Sequence, residues 1–122
     1  MQIADPKHVP TGLFLYMLRP VRLAMLTDGA TPHDQALAAE HWRYSQELLT
    51  QGTLIFAGRT LHRDPTTFAF AVVRALSLDA ARALAERDPA VAGGVFATEV
   101  FPFQPMLMGP WPAEAATVAP AI

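Results

Sequence analysis

From Phe68 to Val73 the chain reads Phe-Ala-Phe-Ala-Val-Val, six apolar residues in a row, aromatic or β-branched at four of them. The residue types favour a strand over a helix. Side chains alternate across a strand, so Phe68, Phe70 and Val72 face one way while Ala69, Ala71 and Val73 face the other. A strand apolar on both faces must be covered on both. That requirement constrains everything around it: helices have to cover one face of its sheet, and something else has to cover the other.

The neighbouring segments supply the rest of the sheet. Leu13 to Leu18 is aromatic and aliphatic, follows Gly12 and stops at Arg19-Pro20, where proline removes a ladder donor. Thr53 to Gly58 is a second strand, and Arg63-Asp64-Pro65 marks the turn into the Phe68 strand, so these two pair as antiparallel neighbours. Beyond Gly93-Gly94, Val95 to Phe101 forms a fourth strand that ends at Pro102.

Two helices separate these strands. After a loop from Arg19 to Ala30, Thr31 is an N-cap and Pro32 a first-turn proline. Leu37, His41, Tyr44 and Leu48 then recur at helical spacing until Gly52 supplies a stop. Ser77 caps the second helix, Asp79 sits in its first turn, and Pro89 ends it near Arg87. The order is β-α-β-β-α-β, the split pattern of ferredoxin-like α+β folds, with both helices on one face of a four-stranded antiparallel sheet. The opposite face is left open, and pairing of two sheets into a dimeric α+β barrel is the simplest cover; a long loop folding back over it is the alternative. Residues 1–12 read as an N-terminal extension, 13–109 as the domain and 110–122 as a Pro/Ala-rich tail. Met106-Leu107-Met108 reads as a short extra strand or an arm on a partner subunit.

Composition narrows the function classes. Apolar residues make up 52% of the chain and charged ones 16%, more apolar surface than a 122-residue monomer easily hides. Nine Lys and Arg, scattered against a net charge of −2, form no basic stripe for nucleic acid. With no Cys, disulfides, thiolate metal sites and a Cys nucleophile are excluded. The longest apolar stretch is far below the roughly 20 residues of a membrane span, and Met1 to Gly12 has the wrong order of features for a secretory signal. Cytoplasm is the expected location. No phosphate-binding glycine motif is present. His33 and His41, about 12 Å apart along a helix, cannot share a metal ion, so neither metal nor cofactor is expected.

His41 is the local anomaly, an imidazole inside the apolar stripe of the first helix. It needs a hydrogen-bond partner, and a satisfied core histidine competes evenly with a functional one. Asp88, before Pro89, reads first as a cap for the next turn. If the two side chains meet, the carboxylate orients the imidazole and the pair becomes a general acid/base. Ser45, one turn after His41, reads as packing or pocket polarity, since a mid-helix serine lacks the strained elbow of a nucleophile. Arg19, Arg59 and Arg74, at or near strand ends, could clamp a substrate carboxylate, although most such arginines are solvated ends; Arg19 and Arg59 are the substrate-binding candidates.

Two stretches resemble the YCII-related family of small ferredoxin-like proteins that form dimeric α+β barrels. Glu40-His41-Trp42 through Leu48, Gly52, Leu54 and Ala57-Gly58 is similar to the family's helix histidine followed by a glycine and a strand. Asp88 to Phe96, then Pro102-Phe103, is similar to its Asp-Pro segment and the strand after it. The resemblance covers roughly Leu13 to Met108 and implies an active site at His41 and Asp88. It also implies a cofactor-independent lyase, isomerase or dehydrochlorinase-like activity on small, often aromatic-derived compounds. Against this stands a non-catalytic dimeric ligand-binding or accessory module, in which the pair only ties the helix to the Asp88 loop. A haem- or quinone-handling monooxygenase rests on fold analogy alone.

Overall fold

The structure is a computed structural model and describes residues 12–112. Eight elements follow one another: β1 (Leu13–Pro20), α1 (Ala24–Thr27), α2 (Pro32–Thr50), β2 (Leu54–Arg59), β3 (Ala69–Arg74), α3 (Leu78–Glu86), α4 (Pro89–Ala92) and β4 (Phe96–Pro102). The sheet is antiparallel in the order β2-β3-β1-β4, with the first strand in the middle beside the third. This is the expected ferredoxin-like α+β arrangement. The expected strand in Met106-Leu107-Met108 does not form: those residues lie in irregular chain, exposed. Most of the expected extension and tail fall outside the described residues.

Local chemistry sets the element ends. Thr31 caps α2 with its hydroxyl on the Asp34 N–H, while the Asp34 carboxylate accepts the Thr31 N–H, a reciprocal capping box. Ser77 accepts the Ala80 N–H at 3.0 Å and so caps α3. Gly52 turns the chain out of α2 at φ +78°, in the left-handed region. The segment from Arg19 to Ala30, read above as loop, contains the single turn α1, and β1 runs two residues past Leu18. Pro20 is accommodated because it is the last residue of the strand, where β1 pairs with Phe96 of β4.

Register divides the sheet into two faces. Phe14, Tyr16 and Leu18 of β1 stand opposite Val73, Ala71 and Ala69 of β3, and with Leu48, Leu54, Ala81, Ala85, Ala90, Val95 and Phe96 they form the core under the helices. The other face carries Leu15, Met17, Phe70, Val72, Phe56 and Phe101. Phe56 and Phe101 are exposed there, Val72 is buried, and the Phe56 and Phe70 rings meet edge to face at 5.5 Å. A register shift between Leu54 and Phe56 keeps both on their proper faces: Leu54 turns to the core and Phe56 to the open side.

Candidate active site

His41 and Asp88 are 47 residues apart in sequence and in direct contact. His41 lies in the middle of α2, on the side turned inward, and is 9% exposed. Asp88 follows the last turn of α3 and is the N-cap of α4, with Pro89 in the first turn. Its side chain is fully buried, and its two oxygens have separate duties. Oδ1 accepts the Ala90 N–H at 3.0 Å, which caps α4, and Oδ2 is 2.6 Å from His41 Nδ1. The expected cap and the hoped-for partner of the imidazole are thus the same carboxylate.

With Asp88 ionised and the ring neutral, the contact assigns one tautomer. An ionised carboxylate only accepts, so Nδ1 carries the proton and donates it to Oδ2. Nε2 is left as the acceptor, and no described residue hydrogen-bonds to it. The ring is held from a second direction by Phe96 at the start of β4, with centroids 5.8 Å apart and planes at 72°. A ring with one nitrogen anchored, its plane fixed and the other nitrogen unoccupied can take up a proton and return it without rearranging.

Two tyrosines border the pair. Tyr16 in β1, 1% exposed, lies on the helix-covered face. Burial raises its phenol pKa, and the neighbouring Asp88 charge adds to the rise. Tyr44, one turn after His41, donates to the Leu84 carbonyl at 2.7 Å and so straps α2 to α3; burial raises its pKa too. Nothing in the sequence marks Tyr16 or Phe96 beyond its place in a strand. The available signal was alternation: Tyr16 shares a face with Phe14 and Leu18, which puts its one polar atom into the layer that contains Asp88.

The other candidates are distributed unevenly. Ser45 is half-buried on α2 but makes no hydrogen bond to His41, whose Nδ1 goes to Asp88. Arg19 stands on the open face, its guanidinium carbon 6.0 Å from the centre of the Phe68 ring. Arg59 pairs with Ala69, opposite the buried Leu18, and therefore lies on the helix-covered face. The sheet separates the two arginines, and only Arg59 shares a face with His41 and Asp88. Two surface grooves lie away from the pair: one of about 340 Å³ along α2 beside Arg43, Glu47 and Gln51, and one of about 290 Å³ beside Arg82, Glu86 and Phe101. No group of three or more His, Asp or Glu suited to a metal ion occurs among the described residues. No helix among them is long and apolar enough to cross a membrane.

Comparison with known proteins agrees with this frame. No curated protein matches the chain. Among solved structures, the 5-chloro-2-hydroxyhydroquinone dehydrochlorinase TftG from Burkholderia phenoliruptrix AC1100, in complex with 2,5-dihydroxybenzoquinone, is similar in fold. It superposes with a TM-score of 0.56 and 26% sequence identity, over 75% of this chain and 93% of that one. The model of the YCII-related domain matches residues 17–104, which includes His41, Asp88 and all four strands in whole or in part, and the chain belongs to the YCII-related family.

Proposed function

We propose that the chain is a small-molecule enzyme of YCII type in which His41 Nε2 is the general acid/base and Asp88 holds the ring. The observation that carries this reading is the division of labour on the imidazole. Nδ1 is committed to a buried carboxylate, and Nε2 has no partner among the described residues. The likeness to a dehydrochlorinase supports an elimination on a chlorinated, hydroxylated ring. The ring first ketonises, one hydroxyl proton moving to the chlorine-bearing carbon; Nε2 then takes the proton of a second hydroxyl, that O–H pair forms a C=O bond, the adjacent C=C pair shifts toward the chlorine-bearing carbon, and chloride departs with the C–Cl pair. The step is a net loss of HCl and draws on no oxidant or cofactor.

A homodimer joined through the open sheet face belongs to the same proposal, since Phe56 and Phe101 stand exposed there beside Phe70 and Met17. So does a cytoplasmic setting. Sedimentation velocity tests the assembly: a dimer that Phe56→Glu and Phe101→Glu dissociate is expected, and a wild-type monomer at tens of micromolar overturns it.

Chloride release from 5-chloro-2-hydroxyhydroquinone tests the activity. His41→Gln is expected to lower it by roughly 10²–10⁴-fold, the usual worth of a general base, with an unchanged circular dichroism spectrum. An undiminished rate in His41→Gln, or no release by the wild type, overturns the reading. The second duty of Asp88 as the cap of α4 favours a second reading, a non-catalytic ligand-binding module in which the contact only ties α2 to the Asp88 loop. Binding of 2,5-dihydroxybenzoquinone without turnover supports that one.

A further inference from the structure

Arg59 differs from the other described arginines. Arg19, Arg22, Arg43, Arg63, Arg74, Arg82 and Arg87 are all exposed, whereas Arg59 is half-buried. Several of the exposed ones already have partners. Arg22 pairs with Asp34, Arg82 with Asp79, Arg63 donates to the Leu26 carbonyl, and Arg19 lies over Phe68. Arg59 has neither an ion pair nor a side-chain hydrogen bond among the described residues. A half-buried arginine whose guanidinium meets no anion in the protein keeps its charge available, and its planar fork matches two acidic oxygens at once.

Its position gives that unused charge a direction. Arg59 is the last residue of β2, and its row runs across the sheet through Ala69 and Leu18 to Thr98. This is the end of the sheet where β1 finishes and β4 begins; Arg59 stands on the edge strand β2 and Phe96, whose ring packs on His41, on the opposite edge strand β4, about 14 Å across the sheet, so a compound held by both Arg59 and His41 lies across β3 and β1. Arg59 is on the same face as that contact, and α2, which carries His41, packs on β2.

Resting on the function proposed above, we infer that Arg59 is the anion-binding residue of the site, and that the compound taken there carries an ionised oxygen, an acidic ring hydroxyl or a carboxylate. The anion meets the guanidinium while the reacting carbon is presented to His41 Nε2. A neutral aromatic of the same shape gains nothing from Arg59.

Calorimetric titration with two probes tests this: 2,5-dihydroxybenzoquinone, which is anionic at neutral pH, and its uncharged 2,5-dimethoxy counterpart. The wild type is expected to prefer the anionic probe. Arg59→Gln should weaken that probe at least 10-fold and leave the dimethoxy compound unchanged, with Arg59→Lys between the two because charge survives and the fork does not. Equal binding of the anionic probe by wild type and Arg59→Gln overturns the inference, as does a wild type that fails to bind it or binds it no better than the dimethoxy compound. The enzyme reading is judged separately, by chloride release: Arg59-dependent binding without release retains the anion site and removes the catalytic role. Release with an unchanged KM in Arg59→Gln does the opposite.

Discussion

Replacing Asp88 separates its structural duty from its effect on His41. In Asp88→Ala, the Ala90 N–H loses its cap, worth about 1 kcal/mol, and the buried side of the imidazole loses its only acceptor, worth about 1–3 kcal/mol. The expected loss of stability is therefore about 3 kcal/mol, near 10 °C in Tm for a chain of this size. In Asp88→Asn the amide has one oxygen for two donors. The Ala90 N–H cannot change character, but the imidazole can, so the oxygen stays on Ala90 and the amide NH2 turns to His41. Nδ1 then becomes the acceptor and the ring proton moves to Nε2. The cost should be near 1 kcal/mol, yet Nε2 is converted from acceptor to donor, the same tautomer error that disables a catalytic triad when its aspartate becomes asparagine. Urea unfolding gives the two stabilities, and ¹⁵N NMR of the His41 ring gives the tautomer. In a His41→Ala background, Asp88→Ala should cost only the cap, about 1 kcal/mol. The reasoning is refuted if Asp88→Ala is within 0.5 kcal/mol of wild type, or if Asp88→Asn keeps its proton on Nδ1.

Three further outcomes follow from the same contacts. A Cβ on Gly93 falls 2.4 Å from Leu37 Cδ1 and 3.0 Å from the Pro89 carbonyl oxygen. Gly93→Ala should therefore cost about 1 kcal/mol by forcing Leu37 off its rotamer, and thermal melting should show part of it restored in Gly93→Ala with Leu37→Ala. Backbone and side-chain hydrogen bonds from Thr31, helped by Arg22, hold the Asp34 carboxyl below the usual carboxylate range. Its contribution is complete above pH about 4, lost as pH falls below that, and absent in Asp34→Asn, whose melting temperature should decline less between pH 5 and 2.5. Tyr16 behaves in the opposite sense: its pKa is raised, so its contribution is full below pH about 10 and declines as pH rises beyond that value. Tyr16→Phe should flatten the alkaline limb of the melting curve, and an equally steep limb in both proteins counts against the buried phenol as its source.

Much of this was decided locally and could be read from the chain. The Thr31-Pro32 and Ser77 starts, the Gly52 stop and the two-faced apolar run at Phe68–Val73 each depend on a few adjacent residues, and the β-α-β-β-α-β order follows from them. His41 stood out because an imidazole in an apolar stripe must find a partner, and Asp88 because aspartate before proline caps a turn. Their meeting is a different matter. It depends on α2 and α4 being brought together by the sheet beneath them, and no spacing in the sequence carries that distance. The separation of Arg19 from Arg59 likewise came from register, because one residue's shift in a strand reverses which face a side chain takes. Periodicity set which residues had to be buried; only the packing of the elements set which buried polar groups face one another, since those contacts join segments that the sequence keeps dozens of residues apart.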